Sequence, residues 1–167
     1  MNIDGKHYRT IWLNADGSTV EIIDQTKLPF RFETVTLRTL DDAARAISTM
    51  QVRGAPLIGA TAAYGVCLGL RDDQSDEALD RACETLAATR PTAINLRWAL
   101  DEMKHAVRNL PREARLAAAY TRAAQICDED VAINAAIGLH GLEGILLGLG
   151  ELAQLEVHVR QGHENGH

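Results

Sequence analysis

The stretch MQVRGAPLIGATAAYGVCLGL, Met50–Leu70, decides how the rest of the sequence is read. One arginine, a glycine, an alanine and a proline stand directly before an apolar run of mostly Ala, Gly and Leu, and no further charge comes until Arg71. Pro56 suits the first turn of a helix, where its missing N–H costs nothing. The run is too short and too rich in glycine for a membrane span, so it reads as a buried helix of a globular core. Gly59, Ala60, Ala62, Ala63 and Gly65 would let that helix pack closely against its neighbours.

Upstream of this helix the period is that of strands. YRTIWL alternates, NADG turns and STVEIID alternates again, with Asp16-Gly17 as the hairpin signal. LPFRFETVTL supplies a third extended segment, which Pro29 confines to an edge or to a start beyond the proline. The period then becomes helical. Thr39 precedes Asp42 by three, a capping-box spacing, and Leu40, Ala43, Ala44, Ile47 and Met50 follow on one face. Downstream, Ser75 can cap a helix running to about Thr89. Pro91 opens another with Leu96, Leu100, Met103 and Val107 on one stripe, and Pro111 opens a long one with a break near Asp128. The expected fold class is α+β: a small N-terminal antiparallel sheet of about three strands followed by a helical array.

Composition narrows the function. The chain has 167 residues, enough for one domain with a sizeable core. A net charge of −6 argues against nucleic acid as the main partner, because phosphate backbones call for a surplus of Lys and Arg. Cys67, Cys83 and Cys127 have no metal-ligand spacing and sit in apolar helical patterns, so they read as reduced, buried thiols of a cytoplasmic protein. MNIDGKHYRTIW has no signal-peptide core. In the tail, His163 and His167 are spaced for a metal on a helix, but Gly162, Asn165 and Gly166 oppose a helix there, so no metal is expected. Leu142, Ile145, Leu146, Leu149 and Leu152 form an apolar stripe that either lies exposed or folds back onto the Pro56–Leu70 helix.

The chemistry concentrates at the helix mouths. A helix N-terminus offers unpaired amides and the positive end of the dipole, and Gly54 lets a bulky anion come near them. Arg53 adds a planar donor matched to phosphate or carboxylate oxygens, so Arg53, Gly54 and Ala55 make a candidate phosphate cradle. Arg90 stands at a second helix mouth and could meet the same anion. Both features also have a structural reading. Gly54 then ends one helix and Pro56 starts the next, with Arg53 a solvated charge, while Arg90 is a favourable cation at the C-terminus of the preceding helix. Asn95 could bond a ligand hydroxyl or face solvent. Arg97 reads as surface decoration. Glu129 and Asp130, with Asn134 nearby, could bind a hydroxyl-rich ligand or position a base, or form a solvated polar helix face.

Taken together, IWL, VEIIDQTKLP, AARAISTMQVRGAPLIGATAAYGV, ATRPTAINLRWAL and EDVAIN resemble the S-methyl-5-thioribose-1-phosphate isomerases, a family allied to the regulatory subunits of translation initiation factor 2B. The resemblance runs from about Tyr8 to Gly141. It implies an N-terminal sheet-plus-helices domain over residues 1–141 and a divergent or truncated tail over 142–167. It further implies an intramolecular oxidoreductase, an aldose–ketose isomerase of methionine salvage, with no cofactor and no metal. The partner would be a small sugar phosphate rather than nucleic acid or membrane, and the dimers common in the family make a homodimer an open expectation. Arg53, Gly54, Ala55 and Arg90 are the substrate-contacting residues it implies. The family's second, Rossmann-like domain, with a catalytic cysteine in a T-x-C-N-x-G motif and a later acid/base aspartate, has no counterpart in these 167 residues. None of the three cysteines takes a catalytic role, and the chain is expected to show no isomerase activity alone. The alternative is a non-catalytic ligand-binding or regulatory module like the initiation-factor subunits.

Overall fold

The computed structural model describes the backbone of residues 2–164 and the side chains of residues 2–142 and of Ile145. Two compact units divide at Cys127/Asp128. The first unit opens with a two-residue ribbon, β1 (Asn2–Ile3) against β2 (Lys6–His7), turning at Asp4-Gly5 with both residues at positive φ. This ribbon lies outside the sequence expectation, although Asp-Gly is a turn signal in its own right.

β3 (Ile11–Leu13), β4 (Val20–Ile23) and β5 (Thr34–Leu37) form the expected antiparallel sheet in the order β3-β4-β5. Asp16 closes the β3–β4 hairpin by accepting hydrogen bonds from the Ser18 and Thr19 amides, both at 2.8 Å. Gly17 supplies the positive φ that the turn needs. Register pairs Ile11 with Ile22 and Val20 with Leu37, which puts all four side chains on the buried face.

Four helices belong wholly to this unit: α1 (Leu40–Ser48), α2 (Ala55–Gly69), α3 (Asp76–Thr89) and α4 (Ile94–Val107). Thr39 caps α1 through a complete capping box with Asp42, and Ser75 caps α3 by accepting from the Ala78 amide. The expected α4 stripe, Leu96, Leu100, Met103 and Val107, is buried. Its helix begins later than its proline, however. Pro91 and Thr92 lie in a turn closed by the Ala93 amide on the Arg90 carbonyl at 3.0 Å.

α2 is the centre of the unit. Every residue from Leu57 to Leu68 is buried, and the helix packs on α1, α3 and α4. Its glycines mark the approaches. A Cβ at Gly65 would lie 2.9 Å from Leu86 of α3 and 3.1 Å from Ala43 of α1. One at Gly59 would lie 3.0 Å from the Asn95 carbonyl oxygen of α4. The three cysteines are buried and form no disulfide, as expected. Burial pushes the Cys83 thiol up to about 11 and raises that of Cys67 further.

α5 runs Arg112–Glu164 as one helix, so the break expected near Asp128 is absent and Gly162 lies in helical backbone, against the expectation for the tail. The unit boundary nevertheless falls at that aspartate. Within the first unit, Ala119, Ala123 and Ile126 of α5 join the core. Arg115, almost wholly buried, donates to the carbonyls of Gln74, Arg108 and Leu110 and pairs with Asp76 at 2.9 Å. In the second unit Val131, Ile133, Ile137, Leu139, Leu142 and Ile145 are exposed. Leu146, Leu149 and Leu152 of the expected stripe, and His158, His163 and His167, lie outside the described side chains. No group of metal-ligating side chains is found among the described residues, and no described helix is long and apolar enough to cross a membrane.

Candidate functional site

The starts of α2 and α4 lack a side-chain cap, and they are neighbours. α2 begins behind Gly54 and α4 behind Ala93, neither of which offers a capping oxygen, whereas α1 and α3 are capped by Thr39 and Ser75. By helix geometry the amides of Ala55 and Leu57, and those of Ile94, Asn95 and Leu96, have no intrahelical acceptor. Gly59 explains why the two mouths meet. It lies one turn into α2, and its missing side chain admits the Asn95 carbonyl of α4.

Between the mouths lies an open hollow of about 460 Å³, lined by Gly54, Ala55, Ile58, Arg90, Thr92, Ala93, Ile94 and Asn95. Ile58, buried, forms an apolar floor. The peptide dipoles of both helices add at their N-termini, so the rim is positive before any side chain is counted. Arg90 adds a full charge. It is the C-cap residue of α3 and is half-buried. Among the described residues its guanidinium has no hydrogen-bonding or ionic partner. The two sequence readings of Arg90 are therefore compatible, since it ends one helix and lines the hollow as well.

Gly54, Ala55 and Arg90 are thus brought together, and Arg53 stands apart from them. Arg53 is exposed, is absent from the lining, and donates from Nη2 to the Gln25 carbonyl oxygen at 2.8 Å. Gly54 sits at φ +93°, a conformation that glycine adopts without strain, and no side chain stands between the hollow and the first amides of α2. Asn95 lines the hollow, whereas Arg97 folds back to the Pro91 carbonyl. Asn134 donates to the Asp130 carbonyl within α5, at 2.8 Å, as a polar helix face would. Sequence reasoning passed over Ile58, Thr92, Ala93 and Ile94 as lining residues. The last three stand in the same RPTAI string as Arg90, which was the signal for them.

A small apolar floor, two sets of free amides and one unpaired guanidinium are groups whose chemistry suits a compact anion with an organic body. Nothing in the lining transfers a proton at neutral pH. The lining contains no His, Cys, Asp, Glu or Lys.

The comparisons agree with this fold and locate it. Residues 51–152 match the family model described as the initiation factor 2 subunit family, and the chain belongs to that family. Methylthioribose-1-phosphate isomerase of Paramagnetospirillum magneticum is 64% identical over 141 residues, covering 84% of this chain and 39% of that protein. The chain therefore spans about two-fifths of the length of that relative. Crystal structures of the 5-methylthioribose 1-phosphate isomerase from Pyrococcus horikoshii and of the delta subunit of translation initiation factor eIF-2B from A. fulgidus both superpose with a TM-score of 0.68 over 75% of the chain. Their identities are 36% and 33%, and the chain covers 37% and 38% of them.

Proposed function

We propose that residues 1–141 are the substrate-anchoring domain of a methylthioribose-1-phosphate isomerase, an aldose–ketose isomerase acting in methionine salvage. The observation that carries this reading is the hollow between the uncapped starts of α2 and α4, with Arg90 on its wall, in a chain 64% identical to an enzyme of that name. Arg90 and the amides behind Gly54 and Ala93 hold the phosphate, and Ile58 backs the sugar. Arg53, held on the Gln25 carbonyl beside Gly54, contributes its charge from outside the lining. Aldose–ketose isomerisation moves hydrogen between C1 and C2, and phosphate anchoring alone does not accomplish that. The T-x-C-N-x-G motif and the acid/base aspartate do not occur in these 167 residues, so they should bind substrate without turning it over. We place the protein in the cytoplasm, in keeping with three buried cysteines that form no disulfide.

The equal structural likeness to an initiation-factor subunit favours a second reading, a module that binds a ligand without chemistry. Calorimetry with methylthioribose 1-phosphate tests the first. The chain should bind the ester, Arg90→Ala should weaken binding at least about tenfold, as loss of a charge-assisted hydrogen bond does, and Arg53→Ala should weaken it less. No heat at millimolar ester would reject the isomerase reading and leave the module.

A further inference from the structure

The mouth of α2 is not held by its own helix. Residues 50–54 are irregular, with Met50 at φ +63° and Gly54 at φ +93°. A segment of this kind needs outside partners to keep one conformation. It finds them in α1, where the Ala46 carbonyl accepts from the Val52 amide at 3.3 Å, and in the two residues that follow β4. The Gln25 amide donates to the Gln51 carbonyl at 2.9 Å, the Arg53 amide donates to Gln25 Oε1 at 3.0 Å, and Arg53 Nη2 donates to the Gln25 carbonyl at 2.8 Å. Gln51 Nε2 donates to Asp24 Oδ2 at 3.2 Å. Asp24 is itself buried and fixed by the Thr26 amide and hydroxyl, at 2.9 and 2.6 Å.

The Gln25 side chain accepts from the Val52–Arg53 peptide, one residue before Gly54, and it does so across 28 positions of sequence. Its backbone carbonyl takes the guanidinium of the same arginine. From this double grip we propose that Gln25 is a positioning residue of the anion site: it fixes the Val52–Arg53 peptide and the Arg53 side chain immediately before Gly54, and through them the free amides of α2, without touching ligand. The inference rests on reading the hollow as an anion site. It gives the small sheet a functional task, since the loop after β4 sets the geometry of a helix start.

The test uses the 167-residue chain labelled with nitrogen-15 and methylthioribose 1-phosphate as probe. In the unsubstituted chain the ester shifts the Gly54 and Ala55 amide signals, and the Arg53 amide exchanges slowly with solvent. Gln25→Ala should speed Arg53 exchange and weaken ester binding, each by about tenfold, the size of one lost hydrogen bond. Exchange at the core amides of Ile22 and Leu86 should not change. Gln25→Glu keeps an acceptor at the same reach and should restore slow exchange at Arg53. Unchanged binding in Gln25→Ala, weakened binding accompanied by faster exchange throughout the core, or no recovery in Gln25→Glu would each overturn the positioning role. An unsubstituted chain that binds no ester removes the anion site and the positioning role with it. The first titration therefore separates failure of the site from failure of Gln25.

Discussion

At the scale of the residue, the chain shows how a short polar side chain can stand in for a missing piece of secondary structure. Asp16 does this in the β3–β4 hairpin. Its carboxylate accepts from the Thr19 hydroxyl and from the Thr19 and Ser18 amides, and these bonds lower its pKa from 3.8 to about 2. A group depressed in the folded state contributes stability above its unfolded pKa and loses that contribution as pH falls through the folded value. Asp16→Asn should therefore be less stable than the parent above 3.8, and the gap should close as pH falls from 3.8 to about 2. Urea midpoints measured across that range check it, and a gap independent of pH would contradict it. Arg53 and Arg90 illustrate what sequence shows and what it hides at this scale. Both were legible as cations beside helix starts. Which of them lines the hollow was not, because that depends on the Gln25 carbonyl, whose position is set by a turn 28 residues away.

At the scale of the element, caps were the most legible feature because they are local. Thr39–Asp42 and Ser75 act where their spacing says they should, since the bonds they make span three residues. The start of α4 was misplaced because Pro91 fits both a helix start and the turn that precedes one. The Ala93–Arg90 bond, which decides between them, leaves no mark on composition. The long α5 was read as broken at a charged segment, yet Asp128, Glu129 and Asp130 are all compatible with a helix. The small residues of α2 were read correctly as contact points, but their partners were not readable. Gly59 shapes the hollow most directly, since the Asn95 carbonyl approaches there and so brings the two helix mouths together. Gly59→Val would drive branched carbons into that carbonyl and into Ala99. It should destabilise the chain by about 1–3 kcal/mol, as overpacking typically does, and weaken ester binding as well. Denaturant unfolding and a ligand titration on the same sample check both halves. Val tolerated with full binding would show that this approach does not shape the hollow.

At the scale of the whole molecule, the first unit has the organisation of a scaffold around one helix. Sheet, α1, α3, α4 and the first turns of α5 all contribute to a core with α2 at its centre. The α+β class was legible because the change from period two to period 3.6 near Thr39 is sharp. The division at Cys127/Asp128 was not, because the helix is continuous across it and only tertiary packing marks the boundary. A buried central helix whose open end carries no cap is an unusual use of stability. α1 and α3 receive side-chain acceptors, while the most buried helix and the one packed closest to it leave their first amides free. A cap of this kind is worth about 1 kcal/mol, and its absence at two adjoining mouths fits a site that a ligand completes. The most direct measurement is an amide shift map of the nitrogen-15 chain during titration with methylthioribose 1-phosphate. Gly54, Ala55, Ile94 and Asn95 should move together along one binding curve while the capped starts at Asp42 and Ala78 stay still. Shifts confined to one mouth, or spread evenly over capped and uncapped helices, would contradict it.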